Sequence, residues 1–398
     1  MTDSRYSIIS SQDTYTYTNQ AIWPVFNVVY DQDGDLVNDN LESQLAQKFS
    51  PVLHKHSFDK QAGLSSIEWI LSGRSSLIAY NELGQQAYNA TMANPSQVHY
   101  YFGNHRDSFG SGDWITYWLL DIQDSYRYQS APSGQKPLYY HVYKSGNYYY
   151  VQYWYFLAMN DLQDQTNNHT WHEGEFEHVS IKVSASSLAP VAVNFYRHEG
   201  GRTVSASNCW WSSSNSLTYS GLSKGYSSSR THLHIWIAAN SHASYNRNHE
   251  VYSITASADV DLCIDLVDEY YIDNVDYNPS GSDLYFPYDY LENLGEYQLS
   301  YDAHGYPWFS HYGLKKSMGK PWISFVGRFG LYWAETCLGS AQATVSPLSP
   351  IFDLSGKPSH EWTKFTENYN PLGFGNPLEY PPFTLVSIFF TNDPSTGD

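Results

Sequence analysis

The segment Trp171-His172-Glu173-Gly174-Glu175-Phe176-Glu177-His178-Val179-Ser180-Ile181-Lys182-Val183 decides the fold class. From Glu175 to Val183 it reads as a strand with period two. Glu175, Glu177, Val179, Ile181 and Val183 then share the face that a core needs. Two carboxylates continuing an inward apolar stripe are costly to bury unpaired. They belong at the mouth of the sheet, beside a cation or strong donors. His172, on the turn just before the strand, reaches that same mouth, whereas His178 points to the opposite face and is a weaker ligand candidate.

Working outward, Leu138–Tyr143 and Tyr148–Phe156 form a hairpin through Lys144-Ser145-Gly146-Asn147. Pro190–Tyr196 leads into a His198-Glu199-Gly200-Gly201 turn, and His232–Ala239 and Pro321–Trp333 are further strand-like runs. In the first of these, His232, His234 and Trp236 alternate with Leu233, Ile235 and Ile237, and His242 lies just past the strand end. Helical spacing is scarce. Leu41, Leu45 and Phe49 mark one helix, capped by Asp39 or Asn40 and stopped by Pro51; Leu64–Leu71 and Gly84–Tyr88 are weaker candidates. Ser205–Ser229 and Asp273–Asp289 read as long surface loops. The expected fold is mainly β, a large β-sandwich core with long loops and a few short helices. Its parts are an N-terminal lead with an acidic loop over residues 1–45, the core over 46–345 and a Pro-rich tail over 346–398 packed on the core. With no fixed-period repeat, propellers and solenoids are excluded.

Composition agrees. Aromatic residues make up 17% of the 398, and 37 tyrosines suit half-buried strand positions. Strand-rich proteins bury such rings, a simpler reading than a sugar-binding face of Trp210-Trp211 and Trp308. The formal charge of −19 and the absence of a basic run argue against nucleic acid as a partner. No apolar run spans a membrane, and Met-Thr-Asp-Ser-Arg at the start carries no apolar signal region. An extracellular setting is expected all the same, with a cytoplasmic one left open. Cys209, Cys263 and Cys337 leave two readings, one disulfide plus a free thiol or three buried thiols. Asn89-Ala-Thr91 and Asn168-His-Thr170 are sequons that matter only in a eukaryotic secretory route.

Residues 31–42, Asp-Gln-Asp-Gly-Asp-Leu-Val-Asn-Asp-Asn-Leu-Glu, place oxygen donors at loop positions suited to Ca²⁺. Asp31, Asp33, Asp35 and Asp39 supply carboxylates, Val37 a backbone carbonyl, and Glu42 a bidentate carboxylate from the first turn of the following helix. Five carboxylates so close repel one another without a cation. Leu36 stands where a regulatory calcium loop has glycine, so the pattern resembles the fixed loops of extracellular calcium repeats, with a structural role.

The order Phe49-Ser50-Pro51-Val52-Leu53, Tyr153-Trp154-Tyr155-Phe156, His172 to Val179, Ser241-His242-Ala243-Ser244-Tyr245 and Gly327-Arg328-Phe329-Gly330 resembles the vacuolar-protein-sorting-associated protein 62 family over roughly residues 45–335. That family usually shows His-x-Gly-Asp-Trp-Glu-His; here Glu175 stands for Asp and Phe176 for Trp. More distantly the motif is similar to that of the necrosis-inducing cytolysin family, whose His-x-x-Asp-Trp-Glu helps bind a divalent ion on a β-sandwich. Carried over, the resemblance implies His172, Glu175 and Glu177 as ligands of a second divalent ion, Ca²⁺ or Mg²⁺, with Asp161 or Asp164 as a fourth. It implies recognition of a glycan or a membrane glycolipid head group. The expectation is therefore a metal-dependent surface-binding or cytolysin-like protein. The alternatives are a metal-dependent hydrolase with Glu177 or His242 as base, and a structural or trafficking module. No Gly-x-Ser-x-Gly elbow, Walker loop or His-Glu-x-x-His helix points to another enzyme.

Overall fold

The structure, a computed structural model, describes residues 37–56, 59–81, 86–91, 115–163, 169–197, 200–215, 222–246, 251–254, 270–274, 284–294, 300–301, 307–308, 320–325, 329–330, 334–337, 340–343, 347 and 350. In chain order, helix α1 (Asp39–Phe49) leads into β1 (Val52–Lys55), and a short helix α2 (Ile67–Leu71) precedes β2 (Ser75–Asn81), β3 (Gln86–Thr91) and β4 (Ile115–Ile122). Then come β5 (Pro137–Ser145), β6 (Tyr148–Gln163), β7 (His169–Ser184), β8 (Pro190–Arg197) and β9 (Gly200–Ser205). The shorter β10 (Trp210–Ser212), β11 (Ser223–Lys224), β12 (His232–Ile237) and β13 (Ser244–Tyr245) follow, with β14 (Val251–Ile254), β15 (Tyr270–Asn274) and β16 (Tyr290–Asn293) beyond them. The protein is mainly β, and α1 and α2 are the only α-helices among the described residues.

A six-stranded sheet in the order β16-β5-β6-β7-β8-β9 forms the centre. One face carries Leu138, Val142, Val151, Tyr153, Tyr155, Leu157, Val179, Ile181 and Val183. It packs on Leu53, Trp211, Leu233, Ile235 and Ile237 of the second sheet, β1-β12-β10-β11 with β13 on β12, and on Leu45 and Phe49 of α1. The opposite face carries Tyr139, Trp154, Phe156 and Ala158. It packs on α2, on Leu77, Leu120 and Ile122 of the three-stranded sheet β3-β2-β4, and on Trp322, Ile323, Phe325 and Phe329. Both faces of the long central strands are therefore covered, which explains why most aromatic residues among those described are core.

The expected hairpin is present as β5 and β6, paired from Tyr139↔Trp154 to Ser145↔Tyr148. β6 also pairs with β7 from Tyr148↔Ser184 to Gln163↔His169, so His172, expected on a turn before the strand, lies inside it. Four other expectations are corrected. Asn38 caps α1, because its Oδ1 accepts from the N–H groups of Asn40 at 3.0 Å and Leu41 at 3.3 Å, which neither Asp39 nor Asn40 does. Residues 86–88, expected in a helix, pair with β2 as a strand. Pro321–Ser324 is a 3-10 helix and not a strand, Pro321 standing at its start where a missing N–H is harmless. The Ser-rich stretch contributes β10 and β11, and Trp211 within it is fully buried. Among the described residues no helix is long and apolar enough to cross a membrane.

Candidate functional site

Along a regular strand, residues three apart point to opposite faces. In β7 they do not, and the cause is Gly174, whose φ of +69° lies in the left-handed region. His172 Nε2 lies 3.1 Å from Glu175 Oε2, so the two share a face. Glu173 is turned to the other face, where its Oε2 accepts from the Ile122 N–H at 2.8 Å and its Oε1 meets Arg127 Nε at 2.7 Å and Nη2 at 2.6 Å. A Cβ on Gly174 would overlap the Phe329 carbonyl, and one on Gly330 (φ +151°) would overlap the Glu173 carbonyl. The two segments therefore meet backbone to backbone, and only glycine allows it.

The mouth of the sandwich is built on the Glu175 side. Glu175 is 7% exposed, His172 8% and Glu177 2%. The Asn160 amide, across the hairpin on β6, donates to Glu175 Oε2 at 2.6 Å, and His172 Nδ1 lies 2.8 Å from the Gly174 carbonyl. Burial by itself would push the Glu175 carboxyl up. His172, His242 and the Asn160 amide more than offset this and hold it below the usual carboxylate range. The carboxyl is thus enclosed with its charged form favoured by its neighbours.

From the opposing layer comes the turn after β12. His242 is fully buried, and its Nε2 lies 3.2 Å from Asp59 Oδ2. Asp59 also accepts from the N–H groups of Gln61 at 2.8 Å and Asn240 at 3.3 Å. Burial raises the Asp59 carboxyl, while His242, the Gln61 N–H and Lys55 bring it below its ordinary value. Beside this pair, Asp161 Oδ2 takes the Lys60 ammonium and the Tyr128 hydroxyl, both at 2.6 Å. His178, on the far face as expected, is stacked between Trp154 and Tyr196, with ring centroids 3.7 and 3.6 Å away.

The structure thus brings His172, Glu175 and His242 to one end of the sandwich and puts Glu177 on the same inner face. It also shows how the expected second-ion donors are used. His172 is paired with Glu175, and Asp161 is engaged by Lys60 and Tyr128. Among the described residues no three His, Cys, Asp or Glu side chains are arranged to hold a metal. As they stand, the donors close into pairs and not around a common centre. Asp164 lies outside the described residues, as do Asp31, Asp33 and Asp35 of the acidic loop. Of that loop's end, Val37 is buried, Asp39 opens α1, and the buried Glu42 accepts from Asn293 Nδ2 at 3.0 Å. Sequence reasoning missed Asp59, Asn160 and Lys60, which no local pattern marks, and it passed over Glu173 although the motif contains it.

The fold and this site define a mainly β sandwich with a buried histidine–carboxylate mouth. No family model matches the chain, and no curated protein matches it. Several solved structures are similar to it in part. One is Necrosis and Ethylene inducing Protein 2 from the causal agent of cocoa's Witches Broom disease, at 12% identity over 51% of this chain and 67% of that one, TM-score 0.24. Another is NLPPya in complex with glucosamine, at 13% identity over 55% and 71%, TM-score 0.27. A third is the non-toxic HaNLP3 protein, at 11% identity over 64% and 74%, TM-score 0.26.

Proposed function

We propose that this chain is a surface-binding, cytolysin-like protein that recognises a glycan or the head group of a glycosylated lipid at the sandwich mouth. The observation that carries the reading is the buried Glu175 side chain, held between His172 and Asn160 with His242 of the opposing layer within electrostatic reach. Such a row of oriented donors and acceptors at the rim of an apolar core is what hydroxyl-rich ligands require. Because the donors close into pairs, the reading runs through the side chains themselves and routes nothing through a second ion. Asp31, Asp33, Asp35, Val37, Asp39 and Glu42 are proposed as a separate, structural calcium loop; chelation should then lower the melting temperature without changing the mouth.

The test is co-sedimentation with phosphatidylcholine vesicles with and without glucosylceramide, for wild type and Glu175→Gln. Wild type should bind the glycosylated vesicles selectively, and Glu175→Gln should bind at least tenfold more weakly while keeping the wild-type melting temperature to within a few degrees. Equal binding by the two proteins, or no preference for the glycolipid, would overturn the reading.

A further inference from the structure

The mouth lies at one end of the sandwich, and the opposite end carries the reverse charge. From Tyr148, paired with Ser184, to Leu157, paired with Glu175, β6 runs roughly 30 Å. At the Tyr148 end five separate stretches of chain meet. The Ala185 N–H donates to the Asn147 carbonyl at 2.9 Å, which joins the turn after β7 to the turn after β5. The Lys48 ammonium, in the last turn of α1, reaches the Leu188 carbonyl at 2.6 Å. The Phe49 ring meets Tyr226 with centroids 6.2 Å apart, and the Gly225 N–H donates to the Cys209 carbonyl at 2.8 Å. Ser205, paired with Ala192, brings in the end of β9.

These stretches, residues 43–50, 143–150, 182–192, 203–209 and 222–231, contain Lys48, Lys144, Lys182, Lys224 and Arg230 and not one Asp or Glu. The whole chain has 40 acidic residues against 21 basic ones, so this pole inverts the sign of the molecule. No basic run announces it, because folding gathers single cations from distant segments. Among the described residues, no carboxylate stands within ion-pair distance of Lys48, Lys144, Lys224 or Arg230. Exposed charges are screened over about 8 Å at physiological ionic strength, so the acidic mouth does not cancel a pole that lies several such lengths away.

The shape of the pole indicates its partner. Lys144, Asn147, Ser186, Ser187, Lys224 and Ser228 are exposed on the tips of turns. Tyr148 and Tyr149 are half-buried beside cations, with the Lys182 ammonium 4.6 Å from the first ring centroid and the Lys144 ammonium 5.8 Å from the second. Protruding tips offer a broad face and not a groove, so they meet a flat array of anions more fully than a single polyanionic chain. Tyrosine rings with polar ends, and lysines with apolar stems, suit the boundary between lipid head groups and water. Basic residues gathered near an anionic leaflet are attracted to it additively.

We propose that this pole docks on an anionic lipid surface, its lysines and arginine meeting the phosphate and carboxylate head groups. The proposal does not rest on the reading of the mouth, which faces the other way, so the two can fail separately.

The test is co-sedimentation of the full chain with phosphatidylcholine vesicles, with and without phosphatidylserine, in EDTA so that calcium cannot bridge protein to lipid. Wild type should bind the phosphatidylserine vesicles selectively and lose that binding at high salt. The double variant Lys144→Gln, Lys224→Gln removes two exposed charges and should bind at least about tenfold more weakly. It should keep the wild-type melting temperature and whatever preference for glucosylceramide vesicles the wild type has. No preference of the wild type for phosphatidylserine, or one that high salt leaves intact, would overturn the proposal whether or not the variant folds. Equal binding by a folded double variant would overturn it too. Retention on heparin without vesicle binding would assign the pole to a soluble polyanion and overturn the membrane partner.

Discussion

Glu173 and Glu175 stand two residues apart on one strand, both almost completely buried, yet they do different work. Glu173 is enclosed by the Arg127 guanidinium and the Ile122 N–H, a set that neutralises its charge and fixes both oxygens. Glu175 has no such fixed cation; it meets His172, the Asn160 amide and, within electrostatic reach, His242. The first arrangement stores cohesion; the second is the one on which the proposed function rests. A buried carboxylate is therefore not by itself a sign of a site; the kind of partner decides.

The comparison breaks most clearly at Glu173. Replacing it with Ala leaves the buried Arg127, among the described residues, only the exposed Asp124 carboxylate, 3.0 Å from Nη2, and the Ile122 N–H without its acceptor, which together cost about 3 kcal/mol. Urea unfolding should show that loss, and a loss below about 1 kcal/mol would remove the distinction drawn here. Gly174→Ala comes next, at roughly 2–3 kcal/mol from the left-handed backbone alone, with the displaced Phe329 segment adding to it. It should also disturb the mouth, because the parity of His172 and Glu175 depends on that residue.

Acid should act in two stages. Burial lowers His54 and His178, and it takes His234 from 6.5 to about 3. Each is neutral in the fold but binds a proton when unfolded, so stability falls as pH drops below 6.5, by about 1.4 kcal/mol per pH unit for each such histidine. The carboxyls of Glu175 and Asp59 lie below their ordinary 4.5 and 3.8, so their contribution is present above those values and is lost as pH falls further. Unfolding midpoints across pH should steepen in that order, and His234→Gln should flatten the upper stage only. The smallest effect belongs to Lys60→Ala. Its side chain is 43% exposed and the Tyr128 hydroxyl stays on the same Asp161 oxygen, so losing the pair costs about 1 kcal/mol in thermal melts.

Much of the fold was legible because strands announce themselves by period two. The β5–β6 hairpin, the inward stripe Val179, Ile181 and Val183, and the His178 face all follow from it. Pro321–Ser324 misled because a short apolar run has the same composition in a strand as in a buried 3-10 turn. The position of His172 was expected correctly for an incomplete reason: it shares the mouth with Glu175 through the glycine between them, not through a turn before the strand.

The sequence by itself determined the class, mainly β, and the motif, because alternation and residue type are local properties of the chain. Only the tertiary structure decided which carboxylate became an ion-paired brace and which met histidines and an amide instead. Arg127, Asn160, Asp59 and His242 reach their partners from 46, 15, 183 and 67 residues away, taking Glu173, Glu175, His242 and Glu175 respectively as partner. Charge and hydrogen bonding act through space, over a few ångströms, and a linear pattern does not record which distant segment folding brings within that range.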